Sequence, residues 1–147
     1  MSQIIKVAVL IFISSLIAIA GSFGGYELNG APIIFHCLLI AFGIQYLVFI
    51  PSYIFKSEQF FDLTGSLTFL SIIYYILCNR NIEDLNYSGL LLIIFISLWT
   101  LRLGLFLFFR IHKDGNDRRF DEIKTNFFKF MLTWTLQGTW VFITASC

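Results

Sequence analysis

Five stretches of about twenty mostly apolar residues fill this chain, at residues 4–20, 32–54, 61–78, 87–109 and 127–146. A helix of about that length crosses the hydrocarbon of a bilayer. Inside lipid every backbone N–H and C=O must find its partner within the segment, so such runs fold as helices. Little of the 147 residues remains beyond short connections. The expectation is one all-α integral membrane helical bundle over residues 1–147, with a cytoplasmic loop at 110–126.

Composition supports the same class. Apolar residues make up 58% and charged residues 13%, against roughly 45–50% and 25% in soluble domains. A disordered chain needs the opposite balance. A net charge of +1 leaves no basic field for nucleic acid. Cys37, Cys78 and Cys147 are scattered, and neither they nor His36 and His112 make a metal-ligand spacing. Phosphate-loop, dinucleotide, zinc-hydrolase and serine-hydrolase signatures are absent.

Lysine and arginine in short loops set orientation. Lys6, Lys56, Arg110, Lys113, Arg118, Arg119 and Lys124 fall on one side of the layer and Arg80 on the other. The N-terminus is therefore expected in the cytoplasm. Ala18-Ile19-Ala20 before Gly21 resembles a signal-peptide cleavage site. The single Lys6 and the long apolar run favour an anchor instead. The fifth stretch reaches Cys147 without a polar flank. That suggests either an end in the outer interface or the front part of a longer protein.

Charged and polar residues inside spans are costly and mark sites or structural pairs. Arg102 stands eight residues before Arg110, about 12 Å into the membrane. It suits an anion or substrate contact, an ion pair, or a snorkelling surface position. Asp62 opens the third span and shares a face with Ser66. It can cap the helix, complement its dipole, or face a cavity. Lys129, Thr133, Gln137, Trp140 and Thr144 recur at helical steps. Such a stripe should face the bundle or a water-filled cavity. In residues 110–124 basic and acidic side chains nearly balance. Arg118 and Arg119 there suit either a phosphate clamp or a solvated loop with salt bridges. Tyr46, Tyr53, Tyr74, Tyr75, Trp99 and Trp134 read as interface belts and packing, and the same residues suit a lipid pocket. Tyr46 and Tyr53 are also phenolic proton-donor candidates.

Three segments taken in order resemble one family. They are Phe61-Asp62-Leu63-Thr64-Gly65-Ser66-Leu67-Thr68, Leu98-Trp99-Thr100-Leu101-Arg102-Leu103-Gly104 with Arg110, and Gly115-Asn116-Asp117-Arg118-Arg119-Phe120-Asp121-Glu122-Ile123-Lys124. Trp134-Thr135-Leu136-Gln137-Gly138-Thr139-Trp140-Val141 follows. The chain resembles, over about residues 45–147, the bacterial membrane proteins grouped with the steroid 5-alpha-reductase C-terminal domain family. That resemblance implies a multi-pass protein of the bacterial inner membrane that binds NADPH from the cytoplasmic side. It implies reduction of a carbon–carbon double bond conjugated to a carbonyl in a lipid. By position, Arg102, Arg110, Arg118, Arg119 and Asp121 fall to the cofactor, and Asp62, Ser66, Trp99, Trp134 and Gln137 to the cavity. More distant relatives are methyltransferases using S-adenosylmethionine, and a non-catalytic membrane protein or inactive fragment is the third alternative. Family members carry further spans with an Arg-His-Pro-x-Tyr-like segment and a Gly-Glu pair, which this sequence lacks.

Overall fold

A computed structural model describes residues 2–28, 30–79, 86–114 and 120–146. Five helices form: α1 (Gln3–Ser22), α2 (Ile33–Ile54), α3 (Phe61–Asn79), α4 (Tyr87–Asp114) and α5 (Phe127–Ala145). A two-stranded hairpin, β1 (Glu27–Leu28) and β2 (Ala31–Pro32), joins α1 to α2. Gly30 stands at φ 80° in its turn, where a side chain would be strained. The chain is an all-α membrane bundle.

Among the described residues, α1, α2, α3 and α4 are long and apolar enough to cross a membrane. The expected fifth span differs. Helix α5 has 19 residues, about 28 Å of helix, but Lys129, Gln137 and its threonines dilute its apolar character. It does not need an apolar exterior, because it packs against α1, α2 and α3. Phe130, Trp134, Thr135, Gly138, Thr139, Val141 and Phe142 of α5 are buried. The polar stripe falls on the other side: Lys129, Trp140 and Thr144 are exposed. Its two ends therefore border an open side of the bundle, while Gln137 between them turns inward to the Phe61 carbonyl of α3.

The loop expected at 110–126 is also shorter than the sequence suggests. Helix α4 runs on through Asp114, with His112 and Lys113 in its last turn, where cations favour the negative end of the helix dipole. Arg110 is thus a helical residue.

Two cores hold the helices at opposite ends. One joins Ala18, Cys37, Ala41, Phe69, Ile72, Val141 and Phe142. The other joins Phe49, Phe120, Phe130 and Trp134, with Tyr46, Tyr53 and Phe61 against it. The late part of α2, the start of α3 and the start of α5 meet in the second core, so the chain runs up and down. Lys56, Arg110, Lys113 and Lys124 lie toward this second, basic end. The connections are joined there. Lys124 Nζ donates to Glu58 Oε2 at 2.9 Å, and Glu58 is only 4% exposed. Phe120 packs on Phe61 at 5.0 Å between ring centroids.

Interhelical hydrogen bonds complete the bundle. Ser14 Oγ donates to Thr139 Oγ1 at 3.4 Å, Gln45 Nε2 to Thr68 Oγ1 at 3.2 Å, and Tyr46 Oη to Thr135 Oγ1 at 3.0 Å, since the Thr135 hydroxyl itself donates to the Met131 carbonyl. Each bond of this kind contributes on the order of 0.6 kcal/mol in a membrane. Breaking the Lys124–Glu58 pair costs more than losing one such bond, because a largely buried charge loses its close partner. Glu58→Ala should lower stability by about 1–3 kcal/mol in detergent thermal or denaturant unfolding, and adding Lys124→Ala should cost less than the two single losses summed.

Candidate functional site

A small cavity of about 60 Å³ opens where α3, α4 and α5 meet. Asp62, Gly65, Ser66 and Phe69 of α3 line it, with Trp99, Thr100, Leu103 and Leu107 of α4 and Gln137 and Trp140 of α5. Each helix contributes through its period. Asp62, Ser66 and Phe69 are spaced four and three apart, as are Trp99, Leu103 and Leu107 at steps of four, and Gln137 and Trp140 at three.

Close backbone approach builds this junction. A Cβ on Gly104 would collide with Ser66 Oγ and come within 2.6 Å of Ser66 Cβ. Helix α4 seats on α3 at that point, and α3 carries most of its packing. A Cβ on Gly65 would stand 2.5 Å from Gln137 Nε2. The space left by Gly65 admits the Gln137 amide, whose Nε2 donates to the Phe61 carbonyl at 3.1 Å. The far wall is aromatic. Phe69 meets Trp140 at 5.6 Å and Trp99 at 6.3 Å, and Trp99 meets Trp140 at 6.5 Å, all edge to face, the favoured geometry for such rings.

The cavity adjoins the outer side of α4 through shared lining residues. Trp99 and Leu103 also border a depression of about 240 Å³ with Arg102 and Phe106. Phe106 then borders a more open one of about 420 Å³ with Phe109, Arg110 and Lys113. Trp99, Arg102, Phe106, Arg110 and Lys113 follow at steps of three, four, four and three, one face of α4. This track leads from the aromatic wall to the basic end. No ion pair holds Arg102, Arg110 or Lys113 among the described residues.

The structure therefore brings four of the sequence candidates, Asp62, Ser66, Trp99 and Gln137, around one cavity. Arg102 and Arg110 lie on the adjoining outer track instead, both exposed. Trp134 is a different case. It is fully buried against Phe49, Phe61 and Phe130, so it belongs to the basic-end core and not to the cavity lining. The reason is rotation: α5 turns Trp134 toward α2 while Gln137 and Trp140 turn toward α4. Asp121 is 49% exposed and lies 3.7 Å from Lys124, away from the cavity. Arg118 and Arg119 lie outside the described residues. Tyr46 and Tyr53 pack in the basic-end core. Cys37 and Cys78 are free thiols, and Cys147 lies outside the described residues.

Sequence reasoning passed over Thr100, Gly65 and Gly104. Thr100 is ordinary in a membrane helix, and a glycine's role depends on what approaches it. It also missed Gln45, fully buried on α2. The rule that flagged Gln137, a costly amide inside an apolar run, applies equally there.

A family model described as a protein of unknown function, DUF1295, matches residues 48–147. The chain belongs to the DUF1295 family. The DUF1295 stretch begins within α2 and takes in α3, α4 and α5, hence every residue around the cavity. No curated protein and no solved structure matches the chain.

The α3–α4 contact gives a direct test. Gly104→Ala should cost roughly 1–3 kcal/mol of unfolding free energy through overpacking and should shift Trp fluorescence, since Trp99 and Trp140 line the cavity. An unchanged melt and an unchanged spectrum would show that α4 is not seated on Ser66.

Proposed function

We propose that this DUF1295 chain contributes to a membrane-embedded NADPH-dependent reductase that saturates the conjugated carbon–carbon double bond of a lipid enone. The observation that carries the reading is the continuous track along α4. It joins an aromatic-walled polar cavity inside the bundle to exposed, unpaired cations at the basic end. The resemblance of residues 45–147 to steroid 5-alpha-reductase relatives supports the same chemistry.

The residues present suit a dinucleotide phosphate. Arg110 and Lys113 stand one turn apart on an exposed face, and Arg102 continues that face two turns deeper. Guanidinium groups bind phosphate oxygens in pairs. Arg102, Arg110 and Lys113 are assigned to hold the cofactor's phosphates, with Arg118 and Arg119 of the following segment in the same role, and Asp121 is assigned to a hydroxyl of the cofactor. When bound, NADPH supplies a hydride to the carbon β to the carbonyl, and a proton completes the reduction at the α carbon.

The protein's own part is orientation. Phe69, Trp99 and Trp140 offer apolar surface to the lipid. Ser66 offers a hydroxyl donor to an oxygen that gains negative charge, the kind of stabilisation that lowers such barriers most. Asp62 and Gln137 fix the polar side of the cavity.

The test is cofactor binding by purified protein in detergent, followed by quenching of Trp99 and Trp140 and repeated with S-adenosylmethionine. NADPH should bind saturably, and Arg102→Leu should weaken it at least about tenfold, the loss of one charge-assisted pair. Binding of S-adenosylmethionine alone would move the protein to methyl transfer. Binding of neither would make it a non-catalytic membrane protein.

A further inference from the structure

Two oxygens in the α3–α4–α5 cavity are buried without a protein partner: Thr100 Oγ1 and Gln137 Oε1. Both residues line the same space, and Thr100 is 1% exposed. A helical threonine ordinarily returns its hydroxyl to the carbonyl four residues back. Thr64, Thr68, Thr133, Thr135 and Thr144 all do so here. Thr100 does not. The Gln137 amide is oriented from its other end, because only Nε2 can donate to the Phe61 carbonyl. Its Oε1 is thereby left as an acceptor. Of these two groups the Gln137 oxygen only accepts and the Thr100 hydroxyl donates or accepts, and they stand beside the Asp62 carboxylate and the Ser66 hydroxyl.

We propose that this cavity is a subsite for the hydroxyl head of an unbranched lipid alcohol. The ligand O–H donates to Gln137 Oε1, and its oxygen accepts from Thr100 Oγ1. Both buried groups are then satisfied at once. A carbonyl would satisfy Thr100 and leave Gln137 Oε1 without a donor. An ether would do the same. Size agrees with a narrow head. The space of about 60 Å³ exceeds the roughly 10–15 Å³ that holds one water and admits a small polar head. Phe69, Trp99 and Trp140 wall the head. Trp99 and Leu103 are shared with the outer depression, so the chain leaves past Leu103 and Phe106 onto the lipid-facing side of α4. This assignment does not rest on the reductase reading, since no cofactor enters it.

The experiment is equilibrium binding of tritiated 1-hexadecanol to the purified full chain in lauryldimethylamine oxide, a detergent without a hydroxyl. Competitors are unlabelled 1-hexadecanol, its methyl ether 1-methoxyhexadecane, and hexadecylamine. The alcohol should bind saturably and compete at least about fivefold better than the ether, the value of one net hydrogen bond. Thr100→Val should erase most of that preference, and Thr100→Ser should keep it. Gln137→Met should erase it as well. Where that variant fails to fold, the Val and Ser pair at position 100 decides. The proposal is overturned by absence of saturable binding, by equal competition from the ether, by a full preference retained in Thr100→Val, or by the amine outcompeting the alcohol, which would make this a cation site.

Discussion

Helix α5 is the element around which the bundle is organised. Alone among the five it falls short of the apolar character of a membrane span, and Thr135 and Thr139 are buried among its neighbours. Burying such groups unpaired is costly, so each fixes a neighbour. Thr139 meets Ser14 of α1, Thr135 meets Tyr46 of α2, and Gln137 reaches the Phe61 carbonyl of α3. Lipid offers apolar side chains no preference among partners. Hydrogen bonds and close packing set the arrangement instead, and α5 carries most of both. Gly138 adds to this by letting Gln45 and Phe42 approach to 3.3 Å of where its Cβ would stand.

The cavity follows from how α4 is attached. It lies against α3, seated by Gly104 on Ser66, while α5 fills the space among α1, α2 and α3. A gap therefore persists between α4 and α5, bridged at its aromatic end where Trp99 meets Trp140. At the other end the Lys124–Glu58 pair and the Phe120–Phe61 contact tie the two connections together. Cavity, outer track and basic end are three consequences of one asymmetry. Three helices surround α5, and the fourth leans on a single neighbour.

Much of this was legible in the sequence because hydrocarbon restricts the choices. The spans near 4–20, 32–54 and 61–78 agree with α1, α2 and α3 to within about two residues at either end. Asp62, Ser66, Trp99 and Gln137 could be singled out as polar or amphipathic groups in costly places, and the structure gathers them. The Lys129 to Thr144 stripe was read correctly as one helix face; Gln137 and Trp140 meet the cavity as expected, while Lys129 and Thr144 lie exposed. Spacing gives the face and not what it meets. Trp134 shows the same limit, since three residues of rotation separate the basic-end core from the cavity.

The sequence by itself determined that this chain is a helical membrane protein, where its helices run, and that its cations gather toward one end. Those properties depend on local composition and on the absence of water in lipid. Only the tertiary structure decided that α5 is central, that Arg102 lies outside the cavity, and that Thr100 and Gln137 share a buried space with unfilled hydrogen bonds. These depend on the rotation and depth of one helix against another. Glycine–serine and glycine–glutamine contacts between distant residues set that rotation, and hydrophobic periodicity carries no record of them.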